Sequence, residues 1–338
     1  MAFKYNPTDF MYSSARVRAL ENSVITRERT EHLLEAKSAD DILASLGDLG
    51  FEVIREGGEQ GGEILREESL LSALDTAYRE ISELCVGAPI IDFLRYQYDC
   101  NNVKAIIKCQ SRGVSPDSML FSFGTVSVEK LLGDMRDGNY SSLPRNMAAA
   151  IPTALEAFAE TANPQKIDLI IDKACFADML EGALASGVDY SVKLVRARID
   201  LINIITCIRV IGMKLYFAAE PFMREAFLEG GELPLDFFIS GLEFGVAKLF
   251  EALEFTPYSA LAREADATTP LYIVERVADD IWLGIAKEAK YIPFGAPVLV
   301  GYITALEYEV KNIRIIMAGK DAGLSPDAIR VRLRSSYV

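Results

Sequence analysis

The chain has 338 residues, half of them apolar and a quarter charged, with 35 Lys and Arg against 49 Asp and Glu for a net charge of −14. That length exceeds what one hydrophobic core usually supports, about 250–300 residues, so two or three cores are expected. The acidic balance argues against a nucleic-acid binder, whose affinity rests on Lys and Arg, disfavours adsorption onto anionic lipid, and suits a basic protein partner.

The opening Met1-Ala2-Phe3-Lys4-Tyr5 lacks the apolar core of a signal peptide. Phe10, Ser14, Val17, Leu20 and Val24 then give one apolar-leaning stripe at helical spacing, and Ser38-Ala39-Asp40-Asp41 reads as a helix start with acids in its first turn. Gly57-Gly58-Glu59-Gln60-Gly61-Gly62 has no Gly-Lys-Ser/Thr and is flanked by Glu56 and Glu63, so it is expected to be a flexible acidic loop and not a phosphate cradle. A long helix is expected from about 67 to 85, then a break at Gly87-Ala88-Pro89 and a helix from about 90 to 110. Ser115-Pro116-Asp117 reads as a further helix start, and the stretch from Gly133 to Pro144 as a linker.

Helices at about 147–161, 164–186 and 190–217 follow. The last is so apolar (Leu201, Ile204, Ile205, Ile208, Ile211) that burial between neighbours is expected. Gly230 to Pro234 makes a turn, and Phe255-Thr256-Pro257-Tyr258 closes this part. Helical patterns at about 270–291 and from the break at Ile292–Pro297 to Lys320 complete the chain, with Ser325-Pro326-Asp327 starting a last helix. The longest uncharged run, Tyr291–Leu306, has 16 residues and is broken by two prolines and two glycines, short of the about 20 apolar residues a membrane helix needs. With no strand pattern of any length, the fold class is all-α.

One skeleton occurs three times. Asp99 with Asn102, Asp200 with Asn203, and Glu309 with Asn312 each place an acid three residues before an asparagine, with Val or Ile next to it and an apolar pair four and five residues on. The acids are 101 and 109 residues apart (200 − 99 and 309 − 200), a domain-sized spacing far longer than solenoid repeats of about 20–50 residues. Three modules are therefore expected: 1–138, 139–257 and 258–338. An acid and an asparagine at i, i+3 share one helix face. On a face otherwise apolar they need partners, so a bracing role is expected, with asparagine on backbone and the acid on a base or a helix N-terminus.

Signs of chemistry are sparse. The single histidine, His32, lies on a charged helix and is the one a Ser-His-Asp triad would have to use; Gly-x-Ser-x-Gly, His-Glu-x-x-His and Walker A sequences are absent. No cofactor or metal is expected. Asp40-Asp41, Glu67-Glu68 and Asp279-Asp280 read as solvated helix faces, Trp282 as packing, and the five cysteines as buried reduced thiols of a cytosolic protein. Arg330, Arg332 and Arg334 form a basic run, read as a solvated helical end or as a contact with a partner.

The segment Ala305–Lys320 resembles the C-terminal signature of the C subunit of V-type and archaeal-type rotary ATPases, the family of the eukaryotic d subunit. Tyr98-Asp99-Cys100-Asn101-Asn102-Val103-Lys104 is similar to its earlier Asp/Glu-x-x-Asn motif, and Tyr12–Leu20 to its start. The resemblance spans essentially the whole chain. It implies three similar helical domains in tandem, arranged as a funnel with pseudo-three-fold symmetry and without a catalytic site. It also implies a peripheral position on the cytoplasmic side of the membrane, with the central-shaft subunits and the proteolipid ring as partners. The implied work is coupling of shaft rotation to H+ or Na+ movement. The second copy departs from the pattern, with Ile205 where the others have Lys104 and Arg314, which favours burial there. The competing readings are an all-helical scaffold of another assembly and, behind it, an all-α enzyme whose acids bind a metal.

Overall fold

The computed structural model describes residues 4–47, 51–56, 64–85, 87–214 and 216–338; the glycine-rich stretch 57–62 lies outside them. The molecule is all-α, 74% helical, and among the described residues the β geometry amounts to one isolated bridge, Arg55 with Ile64. In chain order the helices are α1 (Met11–Leu20), α2 (Arg27–Glu35), α3 (Ala39–Gly47), α4 (Arg66–Leu84), α5 (Asp92–Arg112) and α6 (Val128–Asp137). Next come α7 (Arg145–Thr161), α8 (Pro164–Ala185), α9 (Asp189–Gly212), α10 (Ala219–Ala226) and α11 (Leu235–Phe244). The series ends with α12 (Val246–Leu253), α13 (Ser259–Glu264), α14 (Leu271–Lys287), α15 (Ala296–Asp321) and α16 (Pro326–Arg330).

The chain groups into two compact units. The first runs from Ala88 to Thr256, with Lys4 and Tyr5. Its axis is α8, which packs against α5, α7 and α9, while α10 and α11 lie on α9. Ile171, Ala174 and Cys175 of α8 are buried, as are Val103, Ile106 and Ile107 of α5, the stripes that helical spacing predicts. The second unit joins 6–87 to 257–338. Here α15 is central, touching α1, α3, α4, α14 and α16. Its first ten residues, Ala296 to Ala305, are all buried, so this half is apolar on every side because it has neighbours on every side.

Three local expectations need correction. Ser115-Pro116-Asp117 starts no α-helix: the Ser115 hydroxyl bonds Asp117 Oδ2 at 2.7 Å, and the backbone makes one 3₁₀ turn, Asp117–Met119. The equivalent Ser325 does cap α16, accepting from Ala328 N–H. Gly133 lies inside α6, not in a linker. Burial of Leu131 and Met135 offsets the roughly 1 kcal/mol that a helical glycine costs, and the turn waits for Gly138. The helix of the second motif ends at Gly212 and not near Phe217, and Ile208 and Ile211 are half-buried while Leu201, Ile204 and Ile205 are buried.

Candidate functional site

The three motif helices are α5, α9 and α15, and the same device operates on each. The Asn102 carboxamide donates from Nδ2 to Phe121 O (2.9 Å) and accepts at Oδ1 from Phe121 N–H (2.8 Å). Asn203 does the same with Leu228, at 2.8 and 2.9 Å. Asn312 does it with Arg334, at 3.1 and 2.9 Å. A carboxamide is the side chain that can satisfy both the N–H and the C=O of one residue at once, because it carries donor and acceptor in one plane. Asn102 and Asn203 are fully buried and Asn312 is half-buried.

The acid one turn earlier fastens the same loop a few residues further on. Asp99 accepts from Thr125 N–H (2.9 Å), the Thr125 hydroxyl and Val126 N–H (3.2 Å). Asp200 accepts from Glu232 N–H (2.8 Å) and Leu233 N–H (3.1 Å). Thr125 and Val126 stand four and five residues past Phe121, as Glu232 and Leu233 do past Leu228. Each loop then leads directly into a helix, α6 or α11. The two loops share a glycine placed for contact: a Cβ on Gly124 would collide with Asp99 Oδ1, and one on Gly231 with Asp200 Oδ1. Burial pushes the Asp99 carboxyl up from its usual range, against the donors of Thr125 and Val126.

The third acid acts differently. Glu309 Oε2 accepts from Ile25 N–H at 3.0 Å, in the segment between α1 and α2, so α15 ties two distant parts of the second unit. Burial raises its carboxyl to about 7, with the Ile25 N–H and Arg29 pulling the other way. The loop tied by Asn312 is anchored through α14 as well. Arg334 Nε meets Asp279 Oδ2 at 2.8 Å, Lys311 Nζ meets the same oxygen at 2.6 Å, and the Tyr308 hydroxyl donates to Asp279 Oδ1 at 2.8 Å. Asp279 is therefore a buried ion-pair centre, 5% exposed, and not a solvated acid. Its neighbour Asp280 accepts from Ser335 N–H. Runs of adjacent acids hide this because opposite sides of one helix meet different surroundings.

The remaining sequence candidates fall as follows. Lys104 pairs with Asp172 at 2.6 Å and Arg314 with Glu67, while Ile205, at the matching position, is buried. Arg330 pairs with Glu31 (2.8 Å) and with Asp327, Arg332 lies over the Tyr272 ring, and Arg334 is taken up by Asp279. Trp282 packs on Tyr308, and His32 is exposed. All five cysteines are free and buried, and burial pushes the Cys207 thiol up to about 12. Among the described residues, no group of three or more His, Cys, Asp or Glu is placed to hold a metal.

One further tie has no place in the repeat. Asp178, on α8, is buried and accepts from Asn146 N–H (2.9 Å) and Met147 N–H (2.8 Å) at the start of α7. It stands on the stripe of Ile171, Ala174 and Cys175, and an acid on an apolar stripe is the signal that marks it.

Against known proteins, a family model described as ATP synthase (C/AC39) subunit matches residues 13–332. The C subunit of the A-type ATP synthase of Methanocaldococcus jannaschii is 24% identical over 96% of this chain and 86% of its own length. The C subunit of the V-type sodium ATPase of Enterococcus hirae is 24% identical over 95% of this chain and 97% of its own. The C subunit of the A-type ATP synthase of Haloferax volcanii is 25% identical over 95% and 96%.

Proposed function

The chain belongs to the ATP synthase (C/AC39) subunit family and is a non-catalytic subunit of a V/A-type rotary ATPase; from that premise we propose that it is the coupling piece of the rotor. In this reading it joins the central shaft to the membrane proteolipid ring. It passes torque between ATP hydrolysis or synthesis and the movement of H+ or Na+. Its three motif helices head three modules (1–138, 139–257 and 258–338) in a funnel with pseudo-three-fold symmetry, seated peripherally on the cytoplasmic side of the membrane. Among the described residues no helix is long and apolar enough to cross a membrane, which suits a part that rests on a ring built by other chains.

The observation that carries the reading is the asparagine tie made on each motif helix, joined on α5 and α9 by an acid tie to the same loop. A torque-bearing adaptor must keep its loops and helices from sliding. Directional hydrogen bonds from rigid helices to buried backbone resist sliding in a way that non-directional apolar contact does not. Asp99, Asn102, Asp200, Asn203, Glu309 and Asn312 are thus bracing residues. Of the three arginines near the C-terminal end, Arg330 is the most exposed, its side chain 44% accessible, and would serve a partner contact. Arg334 is held inside.

The test is recovery of the tagged chain from its own cells. Shaft subunits and proteolipid ring are expected to come with it in stoichiometric amounts. Recovery with neither, or with an unrelated assembly, sinks the coupling reading.

A further inference from the structure

The third motif acid is less used than its two counterparts. Both oxygens of Asp99 and of Asp200 accept backbone N–H groups. Glu309 accepts one hydrogen bond, at Oε2, and among the described residues its other oxygen takes none. Yet the residue is only 8% exposed, so its second oxygen, which still meets solvent, can take a donor that the chain itself does not supply.

Glu309 lines a cleft of about 370 Å³ in the second unit, together with the acids Glu52 and Glu80, and among the described residues no Lys or Arg lines it. Leu20 and Leu306 give it apolar walls. Tyr302, on the same helix and in the same cleft, reports the local field: burial, then the negative charge of Glu309 and Glu80, holds its phenol above the usual range. The cleft thus combines a negative potential, an under-used buried carboxylate and an apolar approach.

We propose that this cleft binds an alkylammonium or alkylguanidinium group, its charged head on Glu309 and Glu80 and its stem along Leu20 and Leu306. A cationic head would give Glu309 the charge-assisted donor it lacks, and an aliphatic stem is what apolar walls accept from a side chain whose end is charged. The chemistry is shared by a lysine or arginine of a partner protein and by a free polyamine. The inference concerns the isolated chain and stands apart from the rotor reading.

The experiment titrates the full-length chain at about pH 8, above the about 7 of Glu309, with n-butylammonium, and with 1-butanol as the neutral match, followed by calorimetry and NMR shifts. Saturable binding of the amine and none of the alcohol is expected. Glu309→Gln should weaken amine binding about tenfold, the worth of one charge-assisted hydrogen bond. Glu80→Gln, at an exposed position that spares the fold, should weaken it about threefold. Amine binding no tighter than that of butanol, or unchanged in both variants, overturns the site. Repeating the titration on the assembled ATPase separates the sources. A cleft closed to the amine there is filled by a partner's cationic side chain, and a cleft still open to it takes a free amine.

Discussion

At the scale of single residues, the asparagines carry the most testable weight. Asn203 is fully buried and satisfies both polar groups of Leu228. Asn203→Leu leaves that N–H and C=O without partners, at about 1–3 kcal/mol each. A loss of about 3 kcal/mol in denaturant-unfolding stability is expected. Asn312→Leu, at a half-buried position where water can reach the freed groups, is expected to cost less than half as much. Equal losses at the two positions would show that the carboxamide pairing is not the source of the effect. Glu309 predicts a pH dependence. Its folded value of about 7 lies above the ordinary 4.5, so its stabilising contribution is fully present below about pH 4.5 and lost as pH rises through 7. The shift corresponds to about 3 kcal/mol. Stability of the parent relative to Glu309→Gln is therefore expected to fall by about that amount between pH 4.5 and 8. The glutamine keeps an acceptor for Ile25 N–H and does not titrate. A flat difference across this window, measured by chemical denaturation, would remove Glu309 from the account.

At the scale of elements, the unit of construction is a helix with the loop that returns to it. The loops of α5 and α9 are tied at two points, and in each one glycine, Gly124 or Gly231, has a carboxylate oxygen where a Cβ would stand. Gly231→Ala is expected to cost about 1–3 kcal/mol through forced displacement of Asp200. In Gly231→Ala/Asp200→Ala the clash is gone, so the two losses should add to well under their sum. Strict additivity in that cycle would mean that the glycine serves something other than the carboxylate. The repeat was legible in the sequence as an acid and an asparagine at fixed spacing. Its partners were not, since Phe121 lies 19 residues from Asn102, Leu228 lies 25 from Asn203 and Ile25 lies 284 from Glu309. Helical periodicity reaches across a few turns and says nothing of which distant backbone will meet a face. Asp279 shows the same limit. Its neighbour Asp280 and the charged residues around it suggest solvent, and only the packing of α15 and of the segment around Arg334 makes it a buried centre.

For the whole molecule, family membership and the bracing ties together give a functional expectation. Asp200→Ala removes both ties from the second motif acid to its loop without touching any ATP-hydrolysing centre, because this subunit is non-catalytic. In a reconstituted ATPase, ions moved per ATP are expected to drop while hydrolysis by the detached head is unchanged. Preserved coupling in a variant that assembles normally would separate the ties from torque. What the sequence determined by itself was the all-α class, the course of most helices, the three motif pairs and the family, because these rest on local periodicity and on residue types at fixed spacing. What only the tertiary structure decided was which backbone each pair holds, that Glu309 is left half-used beside a cleft, that Asp279 is buried, and that 6–87 and 257–338 make one compact unit. Those depend on long-range burial, where a group's partner and its ionisation are set by neighbours far away in sequence.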